Sequence, residues 1–430
     1  MTFLLILVLL GYVARVGGWL PPLAAVPAGV LAAFLLPGPA VVLAVGAPRS
    51  RVRDWILGPA LSPVLLGGVA GLAIWRREDP VVWVHAAVLS AGLGLLLMRW
   101  TEGRAKGEGS VGRGAWLTGL GLAAVVAALV IPNPWLREGS DAWFHRAVVA
   151  EIARAGLPPE DPYFAGMPLQ YFWFFHVALT ALRIATGLAP AEAMALLNMV
   201  AAVGCVLVAA RIGAALGFSR VGGAWGGALL LLGMGGLIWV FFPLKYLQIF
   251  IGDVRGMEEA RTVMRFSPFV IPQVTASLQV LYSTTFMLRK FLVGTALPWS
   301  LLLALIAWDA GMRLAREGDP RQGALQFLAG VGAFLMHTVV GGALVAALAS
   351  GGAATALFAA GARRRGAWIA VLAVGALAAC VPYLLATMQP GQRSGPPLLG
   401  FQLLHVLSLP FSLAGVSLLA LIALRRLWRM

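Results

Sequence analysis

The sequence predicts an all-α polytopic membrane protein with about 12–13 transmembrane helices and a helical first large loop on the extracytoplasmic side. Three observations carry that expectation. The 430 residues are 60% hydrophobic and only 11% charged, with a mean hydropathy of +0.88. A soluble chain of this length exposes far more charge. Several apolar runs exceed about 18 residues, the length that crosses a bilayer core. The basic residues, finally, fall in short clusters between those runs: Arg49, Arg51 and Arg53; Arg104, Lys106 and Arg113; Arg363, Arg364 and Arg365; Arg425, Arg426 and Arg429. That is the pattern of the positive-inside bias.

The net charge of +15 therefore reports topology and not a nucleic-acid partner. No stripe of Lys and Arg with interleaved aromatics offers a groove for nucleic acid. Cys205 and Cys380 both lie inside apolar runs, with no metal-ligand spacing and no disulfide framework. The first apolar run, from Thr2 to Val13, lacks a basic leader and a small-residue cleavage site, so it reads as a retained span. The whole chain, 1–430, reads as one multi-spanning domain, integral to a plasma (inner) membrane.

Spans are expected at roughly 3–20, 22–46, 56–75, 80–98 and 115–131. Pro37 and Pro39, flanking Gly38, break the second, as neighbouring helices permit. Segment 171–187 is ambiguous. It is nearly long enough to cross, yet it holds His176 and Arg183 and opens on a dense aromatic patch of the kind that favours an interface. Taken as interfacial or re-entrant, it is followed by spans at roughly 191–212, 223–243, 294–312, 322–336, 338–360, 367–388 and 402–424. That choice puts the short triple-Arg loop inside; a full crossing would put it outside. A second large loop, 244–293, then falls outside despite carrying Lys245, Arg289 and Lys290. Either the topology differs there or the positive charge has a task, such as holding a phosphate.

The stretch from Pro132 to His176 is where charge, proline and aromatics concentrate. It reads as the water-facing active loop of a membrane enzyme. Ser140 or Asp141 is an N-cap, and Gly156 with Pro158 and Pro159 is a stop, so the spacing predicts a short helix over 141–155. Asp141 and His145 then share one face. A carboxylate beside an imidazole can position a base or share a cation; equally, Asp141 can simply cap while His145 pairs with it. Asp161 starts a turn before Pro162 and is either a second acid or a turn residue. Trp173 and its phenylalanine neighbours read as an interfacial belt or as the flank of a lipid-tail groove. In the preferred topology all five histidines (His85, His145, His176, His337 and His405) fall on the outer half, and ionisable residues at membrane depth default to functional candidates. No Walker A lysine motif, HExxH, GxSxG or CxxC is present, which removes the sequence support for ATP-driven transport, helix-borne zinc proteolysis and serine hydrolysis.

The run SDAWFHRAVVAEIARAGLPPEDPYFAGMPLQYFW, preceded by a span and followed by alternating spans, resembles the GT-C class of integral-membrane glycosyltransferases. Among these it is similar to the protein O-mannosyltransferase-like and lipid A aminoarabinose transferase-like enzymes, and most to their bacterial relatives with a D…H…G-x-P-P…P-x-F-x-G…Y pattern. The specific likeness covers about residues 115–215. It implies an inverting enzyme that takes sugar from a polyprenyl-phosphate donor at the outer face of the membrane and passes it to a lipid, glycan or protein acceptor. It implies Asp141 as the essential loop acid and Asp161 as the second. Many GT-C members carry Asp-Glu or Asp-x-Asp at the first site, whereas Ala142 and Trp143 follow Asp141 here; metal use, through Asp141 and His145 if any, stays open. The implied catalytic set is Asp141, His145 and Asp161. The implied donor-binding set is Lys245, Arg289, Lys290, His337, His405 and Tyr171. Membrane lipid and the lipid-linked sugar are the implied partners. A transporter or lipid flippase is the main rival reading, and a non-catalytic membrane scaffold the third.

Overall fold

The computed structural model describes residues 2–46, 56–101, 112–131, 141–169, 171–232 and 294–387. The chain opens with α1 (Thr2–Val16), which Gly17 and Gly18 terminate; Gly18 takes φ +72°, a conformation that glycine adopts without strain. The helix thus stops short of the expected limit at 20. Pro21 and Pro22 start α2 (Pro22–Leu35), and α3 (Pro37–Ala44) follows after a bend at Leu36. Pro37 has no amide proton to continue the ladder. The break is held from outside: Ser62 Oγ donates to the Phe34 carbonyl at 2.8 Å and accepts from the Gly38 amide at 2.9 Å. Then come α4 (Gly58–Trp75), α5 (Pro80–Thr101) and α6 (Arg113–Val130).

The loop region contributes α7 (Asp141–Ala155), a small antiparallel hairpin of β1 (Glu160–Asp161) and β2 (Phe164–Pro168), and α8 (Phe174–Thr186). The hairpin departs from a purely helical expectation. It forms because Pro158, Pro159 and Pro162 disfavour helix, Asp161 supplies the turn, and Gly166 takes φ +78° within β2 where the register shifts opposite Glu160 and Asp161. The bundle continues with α9 (Pro190–Ala215), α10 (Arg220–Leu232), α11 (Leu297–Glu317), α12 (Pro320–Met336), α13 (Thr338–Phe358) and α14 (Arg363–Thr387).

Among the described residues, seven helical units are long and apolar enough to cross a membrane: α2 with α3 (Pro22–Ala44), α4, α5, α9, α11, α13, and α14 with its leading turn. This is an all-α polytopic architecture. The span expected at 402–424 and the end of the one at 223–243 lie outside the described residues, as does the loop 244–293.

The bundle has two distinguishable ends. Arg321 lies against Gly46 and Arg365 against Gly318, so the exits of α3 and α11 and the starts of α12 and α14 share one end. Arg316, Arg363 and Arg364 gather there too. The opposite end carries α7, the hairpin and α8. At 13 residues, α8 is about 20 Å long at 1.5 Å per residue, short of a core about 30 Å thick. Both its termini stay at that loop end. The Phe174 amide donates to the Tyr383 hydroxyl at 3.0 Å, while at the other terminus Arg15 Nε donates to the Ala185 carbonyl at 2.9 Å. Between them α8 leans on α4, where Gly67 and Gly71 leave room for Ala178 and Val177. It therefore does not run the length of the bundle.

A buried ion cluster ties two long helices nearer the basic end. Asp309 of α11 sits 3.0 Å from Arg211 of α9 and 3.4 Å from Arg313, one turn on.

Candidate functional site

The loop end is built around α7. Its helix period buries Ala142, Val148, Val149 and Ile152 and turns Trp143 and Arg154 outward. Arg154 pairs with Glu151 at 2.6 Å on that outer face, and this pairing raises the Arg154 pKa. His145 belongs to the buried face, at 3% exposure. Gly156 ends the helix at φ +91°.

The central contact is between two histidines. His145 Nδ1 lies 2.8 Å from His176 Nε2, and His176 is fully buried in α8. One ring donates and the other accepts, so one proton lies between the two imidazoles. Rings surround it. Phe144, Tyr171 and Phe175 each lie 5.1–6.2 Å, centre to centre, from one or both imidazoles or from each other. Trp143 meets Tyr163 edge-on at 4.9 Å, and Phe144 stacks on Tyr163 at 6.0 Å. Trp143, Tyr163, Phe164 and Tyr171 keep between 43% and 62% of their surface exposed. The result is a packed imidazole pair beneath an open aromatic ledge.

The predicted residues that fall among the described ones can be placed on this frame. Asp141 is the first residue of α7, one turn before His145; its side chain lies outside the described residues. The ring nitrogen of His145 nearest its backbone is engaged by His176, a partner 31 positions away that helical spacing does not reveal. Asp161 accepts the Tyr163 amide at 2.8 Å and so acts as the turn residue that shapes the hairpin tip. Partial burial, with the Asp161 charge beside it, raises the Tyr163 pKa, which keeps the phenol protonated. Tyr171 stands in the ring cluster, 6.2 Å from His145 and 5.8 Å from His176. His337 joins α12 to α13 with extended backbone, at the loop end. Lys245, Arg289, Lys290 and His405 lie outside the described residues.

Sequence reasoning counted His176 among the outer-half histidines but assigned it no place in the site. The signal available was its place directly after Trp173, Phe174 and Phe175, where a buried imidazole needs a polar partner. His85 also has a partner: its Nδ1 is 2.8 Å from the Tyr12 hydroxyl, joining α1 to α5. Among the described residues no three His, Cys, Asp or Glu side chains form a group suited to a metal ion. Two imidazoles alone are too few for the usual three or four ligands. Chemically, the site can hold a flat or ring-shaped molecule against exposed aromatic faces.

No family model matches the chain, and neither a curated protein nor a solved structure does.

Proposed function

We propose that the chain is an inverting membrane glycosyltransferase that moves a sugar from a polyprenyl-phosphate donor to an acceptor hydroxyl at the loop end of the bundle. The observation that supports this most is the exposed aromatic ledge of Trp143, Tyr163 and Tyr171 above the His145–His176 pair, directly beside the first turn of α7. Aromatic faces suit the apolar C–H faces of a sugar ring. The positive-inside tendency puts the Arg-rich end of the bundle in the cytoplasm and the ledge outside.

In this reading Asp141 is the base. It takes the proton of the acceptor hydroxyl as that oxygen attacks the anomeric carbon from the face opposite the lipid phosphate. The bond from the anomeric carbon to the phosphate oxygen breaks, and its electron pair leaves with the polyprenyl phosphate. Lys245, Arg289 and Lys290 neutralise the charge that develops on that phosphate. The donor bond is already activated, so no nucleotide motif is needed. The hydrogen bond between His145 and His176 clamps α7 to α8 and fixes Asp141 relative to the ledge. Asp161 shapes the hairpin tip that carries Tyr163. A divalent cation, if one is used, would take ligands from Asp141 and the loop and not from the buried imidazole pair alone.

A transporter is the second reading, and the buried Arg211–Asp309–Arg313 cluster favours it, since ionisable groups between helices often line pathways. Two assays separate the readings. Full-length protein in nanodiscs is given a panel of polyprenyl-phosphate sugars, and free polyprenyl phosphate is measured. Release with one donor supports transfer. Passage of intact lipid-linked sugar across proteoliposomes, with no bond broken, would establish transport instead.

A further inference from the structure

At the basic end, away from the aromatic ledge, a cavity of about 1020 Å³ opens between α12 and α14. Its walls are apolar: Leu314, Phe327, Leu328 and Leu372, with Trp368 at one side. Its rim is cationic. Arg364 and Arg365 line it directly, and Arg321 stands next to it over Gly46. Arg365 is partly committed, since one of its nitrogens donates to the Ala315 and Arg316 carbonyls at 3.1 and 2.7 Å, closing the C-terminus of α11. Arg364 is exposed. Among the described residues, the acids beside the rim have other partners. Asp319 spends one oxygen on the Arg321 amide at 3.0 Å, and Glu317 pairs with Arg313 at 3.7 Å.

We infer that this groove binds an anionic phospholipid, with an acyl chain between Phe327 and Leu372 and the headgroup phosphate on Arg364 and Arg365. Each half of the groove matches one half of that ligand. An apolar trough of this size suits a hydrocarbon chain. Guanidinium groups at a bilayer surface select phosphate that carries net charge, by paired hydrogen bonds and by field. A zwitterionic lipid would satisfy the trough and carry its own cation to the rim. A free phosphate would satisfy the rim and leave the trough empty. The combination of the two therefore points to an anionic lipid. Its site is separate from the proposed transfer site and does not depend on that reading.

The test is thermal unfolding of the full-length protein in neutral detergent, titrated with phosphatidylglycerol, phosphatidylcholine or inorganic phosphate. Phosphatidylglycerol should raise Tm saturably, and phosphatidylcholine and phosphate should do so far less. Arg364→Gln should weaken the apparent phosphatidylglycerol affinity about tenfold, the equivalent of one charge-assisted contact. Ala324→Trp, which fills the trough, should abolish the shift while leaving Tm without lipid close to wild type. Equal shifts with the two lipids would overturn the inference. So would a shift with phosphate as large as with phosphatidylglycerol. An Ala324→Trp protein that loses stability equally with and without lipid would mean that the trough is already filled by the chain itself, and would overturn it too.

Discussion

Replacing Asp309 with asparagine should be among the most damaging isosteric changes available in this protein. The Asp309 carboxylate is 2% exposed and lies 3.0 Å from the Arg211 guanidinium and 3.4 Å from that of Arg313, themselves 9% and 16% exposed. Asparagine keeps the volume and removes the charge, so Arg211 and Arg313 lose the carboxylate they share, while Arg313 keeps its looser contact with the half-exposed Glu317 at 3.7 Å as its ion pair on α11. A pair of unit charges at about 4 Å is worth roughly 4 kcal/mol at an effective dielectric of 20, and cutting one partner from a buried pair costs about 3–5 kcal/mol. With two arginines on one carboxylate, the upper half of that range is expected. The cost falls on the contact between α9 and α11, the helices that carry the two sides of the cluster. The assay is unfolding in mixed micelles, wild type against Asp309→Asn, with a triple variant Arg211→Met, Asp309→Leu, Arg313→Met alongside. The triple variant should recover most of the loss, because it removes the stranded charges together with their anion. A single variant within about 1 kcal/mol of wild type would refute the reasoning, because a cluster that costs so little to break is not desolvated.

Two further substitutions probe the loop end and the break in the second span. His176→Phe keeps the ring and its aromatic neighbours but removes the hydrogen bond to His145; a stability loss of about 1–3 kcal/mol is expected from the stranded imidazole nitrogen, read by the same unfolding assay. Gly38→Ala drives a methyl group into the Gly58 carbonyl oxygen, where α3 and α4 touch backbone to backbone; a loss of about 3 kcal/mol is expected, the upper end for overpacking, and a neutral effect would show that the two helices do not meet there.

What the sequence made legible was local. Pro37 and Pro39 announced the break between α2 and α3, and Gly156 with its prolines marked the end of α7 to the residue. The polar content of 171–187 signalled a segment unlike its neighbours, and α8 is short for the same reason: His176 and the carbonyls that Arg15 caps are satisfied inside the loop end and not along a span. What stayed hidden was long-range. The partner of His145 is 31 positions away, the partner of Arg211 is in α11, and the arginine that caps α8 sits in α1. None of these leaves a periodic trace, because each joins two helices whose internal patterns are complete without it. The hairpin was missed in a different way. Asp161 was read as an acid or a turn residue, and its turn is in fact the tip of a two-stranded ribbon too short to show alternation.

We propose that Asp141, at the first turn of α7, acts as the base in glycosyl transfer. The measurement that tests it most directly is turnover of wild type and Asp141→Asn in the same nanodiscs, with the donor that the wild type consumes and with Tm recorded for both. The account predicts a loss of about 10²–10⁴-fold, the usual worth of a positioned base, with Tm unchanged within error. Turnover in Asp141→Asn equal to wild type would contradict it.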